Sequence, residues 1–181
     1  MSQTWIDLDG WLAEHAPGAF AALNEPATPT EIASAEREMG LRMPPSLRAS
    51  YLVHDGEADD SAGVFDNWQF LPLERVVEHW QEFAELQAHA GQGVLGDGEF
   101  DAKSSIPVMW SEGEIRYVKA DSSGSEGAFY ELPRHGKPVR LAASLGEFLK
   151  AFHRELLTGA LVVEPDFGFN VVRSGQSASG G

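Results

Sequence analysis

The 181-residue sequence predicts an α+β domain in which N-terminal helices pack on an antiparallel β meander and a further helix follows it. Three observations carry this. Up to about Ala90 the apolar residues recur mainly at helical spacing. From Ile106 the period changes to two, and after Ser144 it returns to the helical one. The helices come first and the strands later, without the regular strand–helix alternation that builds a parallel sheet.

The elements follow in order. Trp5, Leu8 and Trp11-Leu12 place a helix from Thr4 to about His15, and Pro17-Gly18 breaks it. In TPTEIASAEREMG, Thr28 can cap, Pro29 takes the first helical position and Glu31 lies three residues after the cap. Ile32, Ala35 and Met39 share one face, and Gly40 ends the helix. In MPPSLRASYLVHDGE, Pro44 and Pro45 lack N–H groups, which is harmless in a first turn. Leu47, Tyr51 and Leu52 form its inward face, and Gly56 is its stop. Trp68 to Leu71 reads as a short strand. Leu73 to Ala90 reads as an amphipathic helix burying Val76, Val77, Trp80, Phe83 and Ala84, with Gly91 as its stop. Gly91 to Ser105 is a loop. Ile106–Trp110 turns at Glu112-Gly113 into Ile115–Ala120, DSSGSEG leads to Ala128–Leu132, and Arg134–Lys137 turns into Val139–Leu141. Ser144 and Glu147 form a second capping box before the stripe Leu145, Phe148, Leu149, Phe152 and Leu156, stopped by Gly159. Leu161–Val163 and Phe167–Val172 are late strands. Residues 1–173 are read as one domain, and residues 174–181, rich in small side chains, as a flexible tail.

Composition narrows the function. The chain has no cysteine, which excludes disulfides and thiolate zinc sites. The N-terminus has neither the basic nor the apolar segment of a signal peptide, and no apolar run is long enough to span a bilayer. A cytoplasmic location is therefore expected. Asp plus Glu number 28 against 13 Lys plus Arg, a net charge of -15. Such a surface repels nucleic acid and anionic lipid and attracts cationic partners.

Several motifs bear on chemistry. His54-Asp55 could pair a base with an orienting carboxylate, but adjacent residues on a helix point about 100° apart. The simpler reading is that His54 favours the helix C-terminus and Asp55 begins the exit turn. GQGVLG, Gly91 to Gly96, lacks the preceding strand and following helix of a dinucleotide site. Asp166-Phe167-Gly168 has none of the accompanying kinase motifs, and DSSGSEG contains no G-x-S-x-G. The six histidines show no HExxH or ligand-spaced pair. Neither a catalytic set nor a cofactor is expected. The acidic clusters remain, and for any one of them a solvated surface is explanation enough. As a set, however, they fall in loops beside Phe65, Trp68, Phe100 and Trp110. An acidic rim around aromatic anchors suits the grip on a cationic protein. The candidate partner-binding residues are Glu57, Asp59, Asp60, Asp66, Trp68, Glu99, Asp101, Trp110 and Glu112.

The run TPTEIASAEREMGLRMPPSLRASYLVHDG resembles the N-terminal signature of the SUKH superfamily, which includes the fungal cell-wall assembly regulator and many bacterial immunity proteins. The matching elements are Glu36 in its helix, the Leu41–Pro44 turn, and a helix ending at Asp55-Gly56. The second half is similar in Trp68, Pro72, Ser144-Leu145 and Phe148-Leu149. The resemblance covers about Thr28 to Gly159. It departs in the meander, where Ile106-Pro107 precedes Trp110 and Asp121-Ser-Ser-Gly stands in place of an Asp-Pro segment. It implies a SUKH-like fold and a non-catalytic protein-binding role. The leading expectation is an immunity protein that binds and occludes a cognate toxin with a basic surface, a nuclease among the candidates. The alternative is a regulatory or scaffold interaction protein of the cell-wall assembly regulator type. A third reading, a hydrolase using His54 or His135, has less to recommend it.

Overall fold

The computed structural model describes residues 3–90, 95, 99–164 and 170–174. The expected stop at Gly91, all of GQGVLG except Leu95, Asp166-Phe167-Gly168 and residues 175–181 lie outside the described residues.

Four helices open the chain: α1 (Gln3–His15), α2 (Pro17–Ala22), α3 (Pro29–Met39) and α4 (Pro45–Tyr51). The break expected at Pro17-Gly18 is not where the structure places it. Instead Pro17 starts α2, because a residue without an N–H fits the first helical position, and the break falls at Ala16. The capping box of α3 is fully formed. The Thr28 hydroxyl accepts from the Glu31 N–H at 3.2 Å, and the Glu31 carboxylate accepts from the Thr28 N–H at 2.7 Å. The Thr28 N–H and the Thr28 hydroxyl, both donating to the Glu31 carboxylate, hold that carboxyl below its ordinary pKa. Thr28→Ala is expected to lose about 1 kcal/mol and lower the thermal midpoint by roughly 2–4 °C in a calorimetric scan.

After α4 come β1 (Gln69–Phe70), α5 (Leu73–Ala90), one 3-10 turn (Ala102–Ser104), β2 (Ser105–Ser111), β3 (Glu114–Lys119), β4 (Phe129–Leu132), β5 (Val139–Ala142) and α6 (Leu145–Thr158). The five strands form one antiparallel sheet in chain order. Its central hairpin turns on Glu112 and Gly113, both with positive φ, the twist that tight hairpins favour. The late strands β6 (Leu161–Glu164) and β7 (Asn170–Arg173) form a separate antiparallel pair.

Period-two alternation along β3 gives the sheet two apolar faces. Val118, opposite Phe129, belongs to the main core with Trp5, Leu8, Leu47, Tyr51, Phe65 and Phe152. Ile115 and Tyr117 face a smaller cluster of Phe100, Ala102 and Leu132, packed by Phe83 and Ala84 of α5. α5 thus serves both cores, through Val76 and Val77 at its start and Phe83 and Ala84 further along. The architecture is the expected α+β one: helices, antiparallel meander, helix.

Candidate functional site

The segment His54–Glu57 joins the helical and sheet halves, and each of its residues has structural work. His54 Nδ1 lies 2.9 Å from the Asn24 carbonyl and Nε2 lies 3.0 Å from Asp9 Oδ1. Burial alone would lower the pKa of this ring. The Asp9 carboxylate, the Asn24 carbonyl and nearby Glu25 outweigh it and raise the pKa above the ordinary histidine value. A protonated ring donates to both acceptors at once. Asp55 accepts from the Leu73 N–H at 2.8 Å and so caps the start of α5. Burial raises its pKa and the Leu73 bond opposes the rise; Glu31 and Glu74 raise it further. Gly56 has a φ of 69°, and its backbone abuts that of Leu71 and Pro72. His54 and Asp55 therefore point to different partners and form no catalytic pair.

The acidic pattern places Glu57 on an exposed rim, and the structure does not. Glu57 is completely buried. Its carboxylate accepts from Phe70 N at 2.8 Å, Val64 N at 3.1 Å and Ser61 Oγ, while its own N–H donates to the Phe70 carbonyl at 2.8 Å. It closes the 57–70 loop from inside. Burial pushes its pKa up to about 7, against the pull of these three donors. Trp68 is likewise no surface anchor. It is 7% exposed, and the Arg116 guanidinium sits 4.1 Å from its ring centroid. Asp66 is half-buried, accepts from the Arg173 N–H at 3.0 Å and pairs with the Arg173 side chain at 3.4 Å. Asp101 caps the 3-10 turn, accepting from Lys103 N and from Ser104 Oγ. Trp110 is half-buried and stacks on His79 at 4.8 Å with 7° between the rings.

The remaining acids reach the surface. Glu99 pairs with Lys137, and the Glu112 carbonyl accepts from Arg134, so both meet the β4–β5 turn. Asp59 and Asp60 are exposed in the 57–70 loop, and no described contact joins them to that turn. Of the nine, Glu57 and Trp68 are core residues, and Glu99 and Glu112 meet one turn.

A different acidic surface does converge. α3 packs against α5, and the groove between them has a volume of about 450 Å³. Ala35, Leu73 and Val77 give it an apolar floor. Glu31, Glu38, Asp55, Glu74 and Glu78 stand around it, and no lysine or arginine is among its lining residues. Arg75, outside the lining, pairs with Glu78 at 2.7 Å and also feels Asp59 and Glu82. Five carboxylates over apolar side chains form a field that attracts a cationic partner and a floor that can bury its apolar stems. Glu38, Glu74 and Glu78 lie on helices, where a solvated face explains them, while Glu31 is already explained as a cap and Asp55 as an exit turn. The available signal was spacing: Glu31 with Glu38, and Glu74 with Glu78, recur on the flanks of apolar stripes.

Helices before an antiparallel meander, with a helix closing it, make this a SUKH-like α+β domain. The chain belongs to the SMI1 / KNR4 family (SUKH-1), whose profile matches residues 26–151. Among curated relatives, it is 31% identical over 99 residues to the cell wall assembly regulator SMI1 of Saccharomyces cerevisiae, covering 50% of this chain and 20% of that protein. It is 33% identical over 89 residues to a KNR4/SMI1 homolog of Kluyveromyces lactis, covering 45% of this chain and 17% of that one. It is 26% identical over 85 residues to the glucan synthesis regulatory protein of Neurospora crassa, covering 46% of this chain and 16% of that one. The matched segment is thus a fifth or less of each of these relatives. The Saccharomyces and Neurospora relatives are named as regulators rather than enzymes. Among the described residues, no helix is long and apolar enough to cross a membrane.

Proposed function

We propose that the chain is a non-catalytic protein-binding module of the regulator type, which grips a cationic segment of its partner in the α3–α5 groove. The observation that carries this is the groove itself, with five carboxylates above Ala35, Leu73 and Val77 and no basic residue in its lining. Family membership supports a binding role, and the relatives' names as cell wall or glucan synthesis regulators support the regulatory form of it. Binding would act by scaffolding or occlusion, with electrostatics setting the encounter rate.

The net charge of -15 favours a second reading, an immunity protein that covers the basic surface of a toxin. One experiment separates the two. Tagged protein is recovered from its own cells at low and high salt, and the proteins retained are identified by mass spectrometry. A single basic protein encoded next to this one, held at stoichiometric level, would support immunity. Several envelope or signalling proteins held through basic segments would support regulation.

The groove is tested by charge reversal. Glu38→Lys with Glu78→Lys should slow association with the captured partner about tenfold or more at low salt. Asp7→Lys with Glu14→Lys, the same charge change on α1, should have a much smaller effect. Equal slowing by both pairs would show that only net charge matters and would remove the groove from the reading.

A further inference from the structure

In a chain of net charge -15, Arg37 and Arg42 line one pocket of about 350 Å³ together with Ser122. Arg37 stands in the last turn of α3 and Arg42 just beyond it, while Ser122 comes from the 121–127 connection between β3 and β4. At 3.6 residues per turn, Ala33, Arg37 and Gly40 lie on the side of α3 turned away from Glu31, Ala35 and Glu38. This pocket and the α3–α5 groove therefore occupy different faces. The connection is docked at both ends. The Arg42 N–H donates to the Asp121 carbonyl at 3.2 Å, and Glu126 accepts from the Ser46 N–H at 3.1 Å and from the Ser46 hydroxyl. The other carboxylates beside the pocket are engaged as well. Glu36, in its lining, pairs with Arg48 at 3.3 Å and accepts from the Met43 N–H at 2.9 Å. Asp121 accepts from Ser123 N, Ser123 Oγ and Gly124 N, at 2.8, 2.6 and 3.1 Å. The two arginines keep open donors. Arg37 gives one terminal nitrogen to the Ser34 hydroxyl at 2.8 Å, and no described residue bonds the Arg42 guanidinium. The serines of the connection also divide. Ser123 donates to Asp121 and Ser125 bonds Ser123 at 2.7 Å, whereas the exposed Ser122 hydroxyl has no partner among the described residues. A free hydroxyl thus shares a pocket with two arginine forks, and a phosphoryl group matches such forks in charge and geometry.

We infer that Ser122 is a phosphorylation site whose phosphate is held by Arg37 and Arg42. The donor is a nucleoside triphosphate, used by a serine kinase. The bond from Ser122 Oγ to the γ-phosphorus forms as the bond from that phosphorus to the bridging oxygen breaks. The nucleoside diphosphate leaves, and the hydroxyl proton passes to the kinase's base. The phosphate brings a charge of about -1.5 to -2 and three acceptor oxygens. Bonded to both arginines, it fastens the 121–127 connection to the end of α3. Ser123 is no substitute, because a phosphate there would give up the Asp121 bond and stand against that carboxylate. This site does not depend on the α3–α5 groove.

The test uses the full chain, labelled with nitrogen-15, with phosphoserine placed at position 122 during translation, and a second chain with phosphoserine at 125. Phosphorus-31 titration should put the second phosphate pKa of the 122 chain about one unit below that of the 125 chain. The Arg37 and Arg42 Nε–H signals should move with that titration. Arg37→Gln with Arg42→Gln, both at exposed positions, should bring the value back to that of the 125 chain while leaving the circular dichroism spectrum unchanged. In parallel, the protein is recovered from its own cells and its phosphopeptides are mapped, with phosphate expected on Ser122 in preference to Ser123 and Ser125. Equal phosphate pKa values in the two chains, or no response to the arginine replacements, would remove the two arginines from the inference. Phosphate found on Ser123 or Ser125 instead, or on none of the three, would overturn the site itself. So would a free phosphoserine peptide that moves the two arginine signals while phosphoserine at 122 does not, since the pocket would then belong to a partner's phosphate.

Discussion

Glu57→Ala is expected to lose on the order of 3–5 kcal/mol of folding stability, measured by urea unfolding, because it leaves the buried Val64 and Phe70 N–H groups without an acceptor. Glu57→Gln should stay within about 1 kcal/mol of the parent near pH 5, since its amide oxygen still serves Phe70 and Val64 and its NH₂ can donate to Ser61. The pH dependence separates the two roles of this carboxyl. Its folded pKa is raised from 4.5 to about 7. Between those values the folded chain holds a proton that the unfolded chain has released. Stability therefore falls as pH rises through that window, by on the order of 3 kcal/mol, and this contribution is flat above it. His54 acts in the same sense at higher pH. Its raised pKa gives a contribution fully present below the unfolded value of 6.5 and lost as pH rises through the folded value. Unfolding free energies measured from pH 4.5 to 8 should decline, and Glu57→Gln should flatten the lower part of that decline. A steady gain in stability over the same range would contradict the assignment.

Gly56→Ala is the second large effect. At a φ of 69° an added Cβ would stand 2.3 Å from the Pro72 nitrogen and 2.5 Å from the Leu71 carbonyl carbon. Both are backbone atoms, so no side-chain rotation relieves the overlap. The loss expected is about 3 kcal/mol or more, as displaced backbone adds to left-handed strain. Gly40 provides the control. Its φ is 67°, but a Cβ there would meet nothing within 4 Å. Gly40→Ala should cost only about 1–2 kcal/mol. The difference between the two urea midpoints isolates the close approach of the α4 exit to the α5 entry. Equal losses would mean that the left-handed strain accounts for both.

Much of the fold was legible because local signals agreed with one another. The α3 box at Thr28 and Glu31, the prolines before α4, and the α6 start at Ser144 all hold in the structure. The strands expected from Ile106 onward are there as β2 through β5, although among them only β3 comes near alternating burial. The α2 helix was missed because Pro17-Gly18 marks an N-terminus as readily as a break. The acidic loops were the larger difficulty. Loop side chains have no period, so nothing local separates Glu57, which turns inward, from Asp59 and Asp60, which turn out. Trp68 and Phe100 looked like anchors beside charge, yet tertiary packing gives each a core position. The α3–α5 groove depends on two helices distant in sequence meeting face to face. Their individual amphipathic patterns were readable, but their pairing was not.

The bonds between Glu57 and Phe70 have a consequence for how this surface can change. Residues 57–70 leave and return at one point, and Val64, Phe65 and Trp68 fill the loop from within. They form an Ω-loop whose closure is internal. Its outer tip, Asp59 and Asp60, takes no part in that closure. The two tip side chains can therefore be exchanged, at fixed length because Ser61 beyond them bonds both Ala58 and Glu57, while the inner carboxylate keeps the loop shut. The charge of this surface can change there without renegotiating the core.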